Sequence, residues 1–243
     1  MDESIFKTTI TTKKPWGEKS QWIKKVKNRI AEFENAIQKR TKANIVEFLG
    51  KGSRGMAFLL SNGKVLKLTD DKTEAGSSAI LKGKKLKNVV TFYDVFQLGE
   101  LPIYGIVQEK VDVKQFTRKF DKLCEWLFGF WDSFSARKKT AELSSTDKAF
   151  ELFKTMFEKN SGLKLDKQPG GEDFVKQLLN GWLELLANNI EFIDITYKNI
   201  GKTSGGVIKI FDIGYSKSPG GPIPAIKETK QFADLKLWVE RIV

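Results

Sequence analysis

The pattern of apolar residues first becomes regular over positions 16–40, where every third or fourth residue is apolar. These residues are Trp22, Val26, Ile30, Phe33 and Ile37, and most positions between them are polar or basic. Spacings of three and four put the five side chains on one face of a helix. The pattern predicts a basic amphipathic helix that packs on a neighbouring lobe, with a helix on a membrane surface as the alternative.

Between residues 44 and 70 the pattern changes to short runs in which apolar and polar residues alternate, as is typical of β-strands. The motifs GKGSRG at 50–55 and SNGK at 61–64 interrupt these runs, and their glycines predict tight hairpins. A helix-like stretch follows at 73–86, with Asp71 as its predicted N-cap.

Two further strand-like runs occupy residues 88–98 and 103–111. Together with the earlier runs they give five strands and one helix, a combination that predicts a small β-rich lobe. We therefore place this lobe at residues 44–111, after an N-terminal helical region at 1–43.

The remaining residues, 112–243, predict a helical lobe. Residues 112–191 are rich in Phe, Leu and Trp, with a break at 166–173 and a mostly buried helix predicted at 174–189. TSGG at 203–206 predicts a second hairpin. A last helical face is predicted from Phe232, Leu235, Trp238 and Ile242. The predicted fold class is α+β.

Composition supports a globular protein and excludes several kinds of chemistry. The chain has 243 residues, 40% of them hydrophobic, which is enough for a sizeable core. It contains no histidine, so Ser-His-Asp catalysis, Cys-His catalysis and histidine-ligated zinc are excluded. The single cysteine, Cys124, is expected in the core, and one cysteine suits a reducing compartment. With no signal-peptide pattern and no apolar run of membrane-spanning length, we expect a cytoplasmic protein.

The net charge of +12 arises from 42 Lys and Arg against 30 Asp and Glu. Part of this excess is typical of a solvated surface, and part suggests an anionic partner, either an acidic protein, a nucleotide or a nucleic acid. Because no zinc-finger spacing or RNA-binding motif is present, nucleic acid is the weaker of these alternatives.

The glycine motif contributes Gly50, Gly52, Ser53 and Gly55 to a hairpin flanked by strands. Glycines in such a hairpin allow backbone amides to approach phosphate groups without obstruction by a Cβ atom. Taken alone, however, glycines recur in ordinary hairpins, so the motif needs support from its neighbours.

Lys67 lies in the middle of the strand after the hairpin, and Glu74 lies seven residues later at the start of the short helix. Separately, they would be an exposed strand lysine and an acidic residue that complements a helix dipole. Together they predict an ion pair that directs the ammonium group towards phosphates. QEKV at 108–111 predicts a hinge whose backbone contacts an adenine, or an ordinary edge strand.

Three side chains with oxygen atoms surround the second hairpin: Asp194, Asn199 and Asp212. Asn199 follows Asp194 by five positions, and Asp212 follows Asn199 by thirteen. Asp and Asn favour turns, which is one explanation of their positions. The other explanation is a site for a hard cation such as Mg²⁺, which prefers oxygen ligands.

The order of these motifs resembles the protein-kinase-like superfamily over residues 44–217. The matching elements are GKGSRG, KVLK, a helix with Glu, QEKV, an Asp followed five residues later by Asn, and IFDIG. The compact layout is most similar to small bacterial or phage-encoded serine/threonine kinase-like proteins. The resemblance implies a two-lobed fold with a small antiparallel sheet and a helical lobe shortened at its C-terminal part.

The resemblance also implies roles for individual residues. Asp194 would orient or accept the proton of the attacking hydroxyl, and Asn199 and Asp212 would hold Mg²⁺. The ATP phosphates would contact Lys67, oriented by Glu74. The glycine loop and the hinge residues Glu109 and Val111 would contribute to nucleotide binding.

Two motifs depart from the family pattern. The family's His-Arg-Asp is Phe192-Ile193-Asp194 here, and its Asp-Phe-Gly is Asp212-Ile213-Gly214. Only 29 residues follow Gly214, and none form Ala-Pro-Glu, so we expect the activation segment and peptide-docking platform to be missing or rebuilt.

The function implied is transfer of the ATP γ-phosphate to a hydroxyl, on a protein Ser or Thr. A small-molecule kinase is the first alternative, since such relatives also lack the activation segment. A pseudokinase that binds nucleotide without transfer is the second, and a basic nucleic-acid-binding protein is the third.

Overall fold

The structure is a computed structural model. It describes residues 34–51, 55–98, 103–136, 145–192, 194–214, 216–217, 220–221 and 225–226. The predicted helix over 16–40 is described only from residue 34, where it is helical and buries Ile37 completely. Its other predicted apolar positions and the predicted C-terminal face lie outside the described residues; these are Trp22, Val26, Ile30, Phe33, Phe232, Leu235, Trp238 and Ile242.

The fold is α+β, as predicted. The strands are β1 (Ile45–Lys51), β2 (Gly55–Leu60), β3 (Val65–Thr69), β4 (Phe92–Leu98), β5 (Tyr104–Gln108), β6 (Glu191–Phe192), β7 (Ile200–Lys202), β8 (Ile208–Ile210), β9 (Ser216–Lys217) and β10 (Ala225–Ile226). The helices are α1 (34–41), α2 (Lys72–Leu81), α3 (Asp121–Ala136), α4 (Thr146–Ser161) and α5 (Gly171–Leu186).

The main sheet has the strand order β1-β2-β3-β5-β4-β10. Its first five strands are antiparallel to their neighbours, and β10 pairs with β4 in parallel. The pairs β6–β9 and β7–β8 are separate two-stranded antiparallel sheets. The parallel strand β10 was not predicted, because two residues are too few to show an alternating pattern.

The chain divides into two compact units. The first comprises the described residues within Met1–Ala75, Phe92–Glu109 and Pro222–Val243, and the second those within Gly76–Thr91 and Lys110–Gly221. The lobe boundaries given above from the sequence, 1–43, 44–111 and 112–243, remain a prediction.

The core of the first unit lies on one face of the main sheet. Leu66 and Leu68 of β3 point into it together with Ile37 of α1. The other buried members are Ala43, Leu60, Phe96, Leu98, Ile103 and Val107. Because neighbouring residues of a strand point to opposite faces, the intervening residue Lys67 projects from the other face of the sheet.

The second unit is built around α5, which buries seven of its residues. Trp182 of this helix stacks on Trp131 of α3 with ring centroids 4.8 Å apart, and both rings are almost completely buried. Cys124 is 2% exposed, which confirms its predicted place in the core. Burial, followed by the charges of Asp121 and Glu125, raises the pKa of its thiol to about 12. The residue is therefore a packed thiol and not a reactive thiolate.

Four predicted elements have wrong boundaries. The strand predicted at 103–111 is Tyr104–Gln108, and the helix predicted at 174–189 is Gly171–Leu186. The helix predicted at 73–86 ends at Leu81, because Gly83 adopts φ +76° and the lysine-rich residues that follow offer no apolar face to bury. The strand predicted at 88–98 begins at Phe92, since the backbone of residues 88–90 bonds to Ile210 instead. In the part of the chain that the structure describes, no helix is long and apolar enough to cross a membrane.

Candidate functional site

Lys67 and Glu74 form a short salt bridge in the first unit. The distance between Lys67 Nζ and Glu74 Oε1 is 2.6 Å, and the side chains are 15% and 3% exposed. A buried carboxylate is stable only with a partner of opposite charge or with hydrogen-bond donors. Lys67 is thus not an ordinary exposed strand lysine, and its ammonium group is held at a defined position on the sheet face opposite the core.

The predicted N-cap of α2 fixes the position of Glu74. Asp71 Oδ1 accepts hydrogen bonds from the backbone N–H of Thr73 at 2.9 Å and of Glu74 at 3.2 Å. These bonds satisfy backbone donors of the first helical turn, which confirms the N-cap prediction. Strand β3 and the first turn of α2 therefore carry the two members of the salt bridge on rigid elements.

The glycine motif spans the connection between β1 and β2. Gly50 lies near the end of β1, opposite Ala57, and Gly55 begins β2, opposite Thr69. A Cβ atom on Gly55 would lie 2.5 Å from the carbonyl oxygen of Leu68, so only glycine fits there without a backbone shift. The same Cβ position is 3.4 Å from Cε of Lys67, so Gly55 leaves space beside the lysine side chain. Gly52 and Ser53 lie outside the described residues.

The predicted hinge begins at Gln108, the last residue of β5. Glu109 is half-buried. The pKa of the Tyr93 hydroxyl is raised, mainly by the burial of Tyr93 and secondly by the negative charge of Glu109. Val111 belongs to the second unit. Its Cγ2 lies 2.3 Å from the position that a Cβ atom on Gly201 would take, so the Val111 side chain fills that space. Glu109 and Val111 therefore have separate environments, and a role in nucleotide binding stays a prediction for both.

Asp194 and Asn199 are in direct contact in the second unit. Asn199 Nδ2 donates to the backbone carbonyl oxygen of Asp194 at 2.9 Å and to its Oδ2 at 3.0 Å. Asn199 ends the 3₁₀ turn Tyr197–Asn199 and is only 8% exposed. Because both Asp194 contacts use the amide nitrogen, the amide oxygen Oδ1 points to the other side of the side chain, where it can ligate a cation.

Asp212 follows the β7–β8 hairpin. The backbone N–H of Phe211 donates to the carbonyl oxygen of Asn199 at 3.0 Å, which brings the residue before Asp212 against the Asn199 backbone. Asp212 Oδ1 accepts from the N–H of Gly214 at 3.4 Å, and Ile213 between them is completely buried. The hairpin thus brings the residue before Asp212 against the backbone of Asn199. We call Asp194, Asn199 and Asp212 the Asp194 group.

A buried polar network around Asn88 fixes the β7–β8 hairpin, and the sequence interpretation did not identify it. Asn88 Nδ2 donates to the carbonyl oxygen of Ile208 at 2.7 Å, and Asn88 Oδ1 accepts from Asn180 at 2.9 Å. The backbone of Asn88 is bonded to Glu184 Oε2 and to the N–H of Ile210, both at 2.9 Å. Since Asn88 is 1% exposed, each of these groups depends on the others for its hydrogen bonds.

A signal for this network was present in α5. Gln177, Asn180 and Glu184 stand at intervals of three and four residues in a segment, 177–186, whose other residues are apolar or glycine. This spacing puts all three on one face, and a polar stripe on a buried helix predicts polar partners.

We predict that Asn88→Leu lowers the free energy of unfolding by about 3 kcal/mol, because it leaves buried donors and acceptors without partners. Asn160→Leu on the exposed surface of α4 is the matched control, with an expected change within about 0.5 kcal/mol. Urea unfolding measures the free energy of unfolding of both variants and of the wild type. An Asn88→Leu protein as stable as the Asn160→Leu protein would contradict the structural role given to the network.

The donor types of the Asp194 group, one amide and two carboxylates, are oxygen donors of the kind that Mg²⁺ accepts, although they do not form a cluster of acidic ligands. Among the described residues, no three or more His, Cys, Asp or Glu side chains lie together in a way that could hold a metal. Mg²⁺ needs fewer protein ligands, because it keeps several waters and binds substrate phosphates. One amide oxygen from Asn199 and one carboxylate from Asp212 would meet that requirement.

No known protein-family model matches the chain, and no curated protein matches it significantly. The candidate site is therefore defined by the chain's own residues and their geometry.

Proposed function

We propose that this protein is an ATP- and Mg²⁺-dependent phosphotransferase that moves the γ-phosphate to a hydroxyl group of a protein Ser or Thr. The finer fold proposed with it is a two-lobed protein-kinase-like fold with a shortened helical part. The observation that carries the proposal is the pair of hydrogen bonds from Asn199 Nδ2 to Asp194. It holds a carboxylate and an amide oxygen in fixed orientations within a chain that has no histidine to act as a base.

In the proposed reaction, Asp194 accepts the proton of the attacking hydroxyl. The hydroxyl oxygen forms a bond to the γ-phosphorus as the bond from that phosphorus to the bridging oxygen breaks, and ADP leaves with the electron pair. Such a transfer needs little covalent participation from the protein, and positioning and charge neutralisation are its main requirements. Carboxylate, amide and lysine side chains are sufficient for both.

Lys67 supplies positive charge for the phosphates, and Glu74 keeps its ammonium group in place. The 2.6 Å salt bridge and the low exposure of both side chains support this role, since a fixed cation needs no reorganisation when the phosphates bind. Asn199 and Asp212 would hold Mg²⁺, which when bound neutralises charge that develops on the phosphates.

The proposal is tested by ATP binding with and without Mg²⁺, measured by calorimetry on the wild type and on Asp212→Ala. We expect Mg²⁺ to strengthen ATP binding by about tenfold or more in the wild type and to have little effect in the variant. Asp166→Ala, at a carboxylate that is 55% exposed, is the matched control and should keep the full magnesium effect. An ATP affinity of the wild type that is the same with and without Mg²⁺ would contradict the proposal.

A further inference from the structure

Residues 82–87, which we call the lysine loop, follow α2 and are strongly basic. The loop has the sequence KGKKLK, and residues 75–93 around it contain no Asp or Glu. All four lysines of the loop are exposed; they are Lys82, Lys84, Lys85 and Lys87. Because no acidic residue is near them in the sequence, the loop concentrates positive charge at one place on the surface of the second unit.

The backbone of the lysine loop is held by residues that are distant in the sequence. The N–H of Lys87 donates to Glu184 Oε1 at 2.7 Å. The ammonium group of the buried Lys209 donates to the carbonyl oxygens of Leu86 at 3.2 Å and of Val89 at 3.3 Å. Glu184 and Lys209 have opposite charges, so these anchors add no net charge to the loop. A backbone that is already ordered loses less entropy when a partner binds to it.

The ends of two helices explain part of this charge. Lys82 directly follows α2, and the ammonium group of Lys84 donates to Oδ1 of Asn188, two residues after the end of α5. A cation near the C-terminus of a helix is favourable, and the effect falls off within the last turn. One lysine at each helix end is enough for this effect, so it does not explain Lys85 and Lys87.

The chemistry of the loop favours carboxylates over nucleic acid. The loop contains no arginine, whose planar guanidinium group binds phosphates in a bidentate manner, and no aromatic ring on which a base could stack. Lysine ammonium groups are point charges that can pair with carboxylates without a fixed planar geometry. We propose that the lysine loop is a docking surface for a segment of a partner protein that is rich in Asp and Glu. The inference goes beyond the proposed function, because docking requires neither ATP nor Mg²⁺.

The test measures binding of a fluorescein-labelled oligoglutamate peptide to the full chain by fluorescence anisotropy, in the absence of nucleotide. The loop variant carries Lys82→Gln, Lys84→Gln, Lys85→Gln and Lys87→Gln. The matched control loses the same charge at four other exposed lysines of the second unit, through Lys119→Gln, Lys122→Gln, Lys148→Gln and Lys159→Gln. We expect the loop variant to bind the peptide at least about fivefold more weakly than the wild type, since four modest ion pairs are lost. The control variant should stay within about twofold of the wild type.

Two results with these proteins would overturn the inference. One is absence of peptide binding by the wild type. The other is an equal loss of affinity in both variants, which would assign binding to net charge and not to the loop. An oligothymidylate of the same charge is measured in parallel, and tighter binding of it than of the peptide would show a nucleic-acid surface instead.

A second pair of variants decides if the loop variant does not fold. Lys85→Glu reverses one charge in the loop, and Lys122→Glu reverses one exposed charge elsewhere. We expect weaker peptide binding by Lys85→Glu than by Lys122→Glu, and equal binding by the two would overturn the inference. Each of these results leaves the phosphotransferase proposal unaffected, because none of the measurements involves ATP.

Discussion

Asp194→Asn is expected to lower the rate of phosphoryl transfer by about a thousandfold, the usual contribution of a positioned general base. Asparagine keeps the shape of the side chain and an oxygen that can accept from Asn199 Nδ2, so the local structure should persist. It cannot accept the proton of the attacking hydroxyl. The loss should therefore appear in the rate constant for transfer, measured under single-turnover conditions, while the dissociation constant for Mg·ATP changes less than about threefold.

Asp166→Asn, at an exposed carboxylate of the same unit, is the matched control and should transfer phosphate at the wild-type rate. An Asp194→Asn protein with full activity would show that Asp194 does not act as the base. A protein that lost ATP binding together with activity would show that the residue binds nucleotide instead.

The second large effect is expected at the salt bridge between Lys67 and Glu74. Lys67→Met should lower the free energy of unfolding by about 3 kcal/mol, because Glu74 then loses its lysine partner while it remains buried. The double variant Lys67→Met/Glu74→Leu should recover most of this stability, since two apolar side chains replace the ion pair without leaving a charge behind. Neither protein should bind Mg·ATP with wild-type affinity, because both lack the ammonium group that we propose contacts the phosphates.

The contact between Lys154 and Glu172 is a suitable control, with the same 2.6 Å distance but about one third of each side chain exposed. Lys154→Met should destabilise much less than Lys67→Met, because solvent screens the exposed pair. Urea unfolding of the wild type and of these three variants decides. A Lys67→Met/Glu74→Leu protein no more stable than Lys67→Met would contradict the account of the buried pair.

The elements of the β-rich region were predictable because their signals are local. Alternating residues in β3 and glycines in the neighbouring turns determine strands through contacts a few residues apart. The N-cap by Asp71 was predictable for the same reason, since it involves only the next three residues. The predicted end of α2 was wrong because residues 82–87 contain several lysines, which favour helix. Gly83 instead adopts a left-handed conformation, which ends the helix.

The candidate site was predictable only in part. The intervals among Asp194, Asn199 and Asp212 predicted a group of candidate residues, and the structure brings two of them, Asp194 and Asn199, into contact. The ion pair predicted between Lys67 and Glu74 is confirmed. The network of Asn88 includes a hydrogen bond between residues 120 positions apart, so no local pattern could show which partners it has.

The most direct test of the central claim is transfer of label from γ-labelled ATP with Mg²⁺, on the purified protein and on a bacterial lysate, with Asp194→Asn in parallel. The proposal predicts label on protein that disappears with the variant. Label that appears only on a small metabolite would show that the acceptor is a small molecule and would still support a phosphotransferase. No transfer at all from a protein that binds Mg·ATP would contradict the claim and leave a nucleotide-binding protein without this activity.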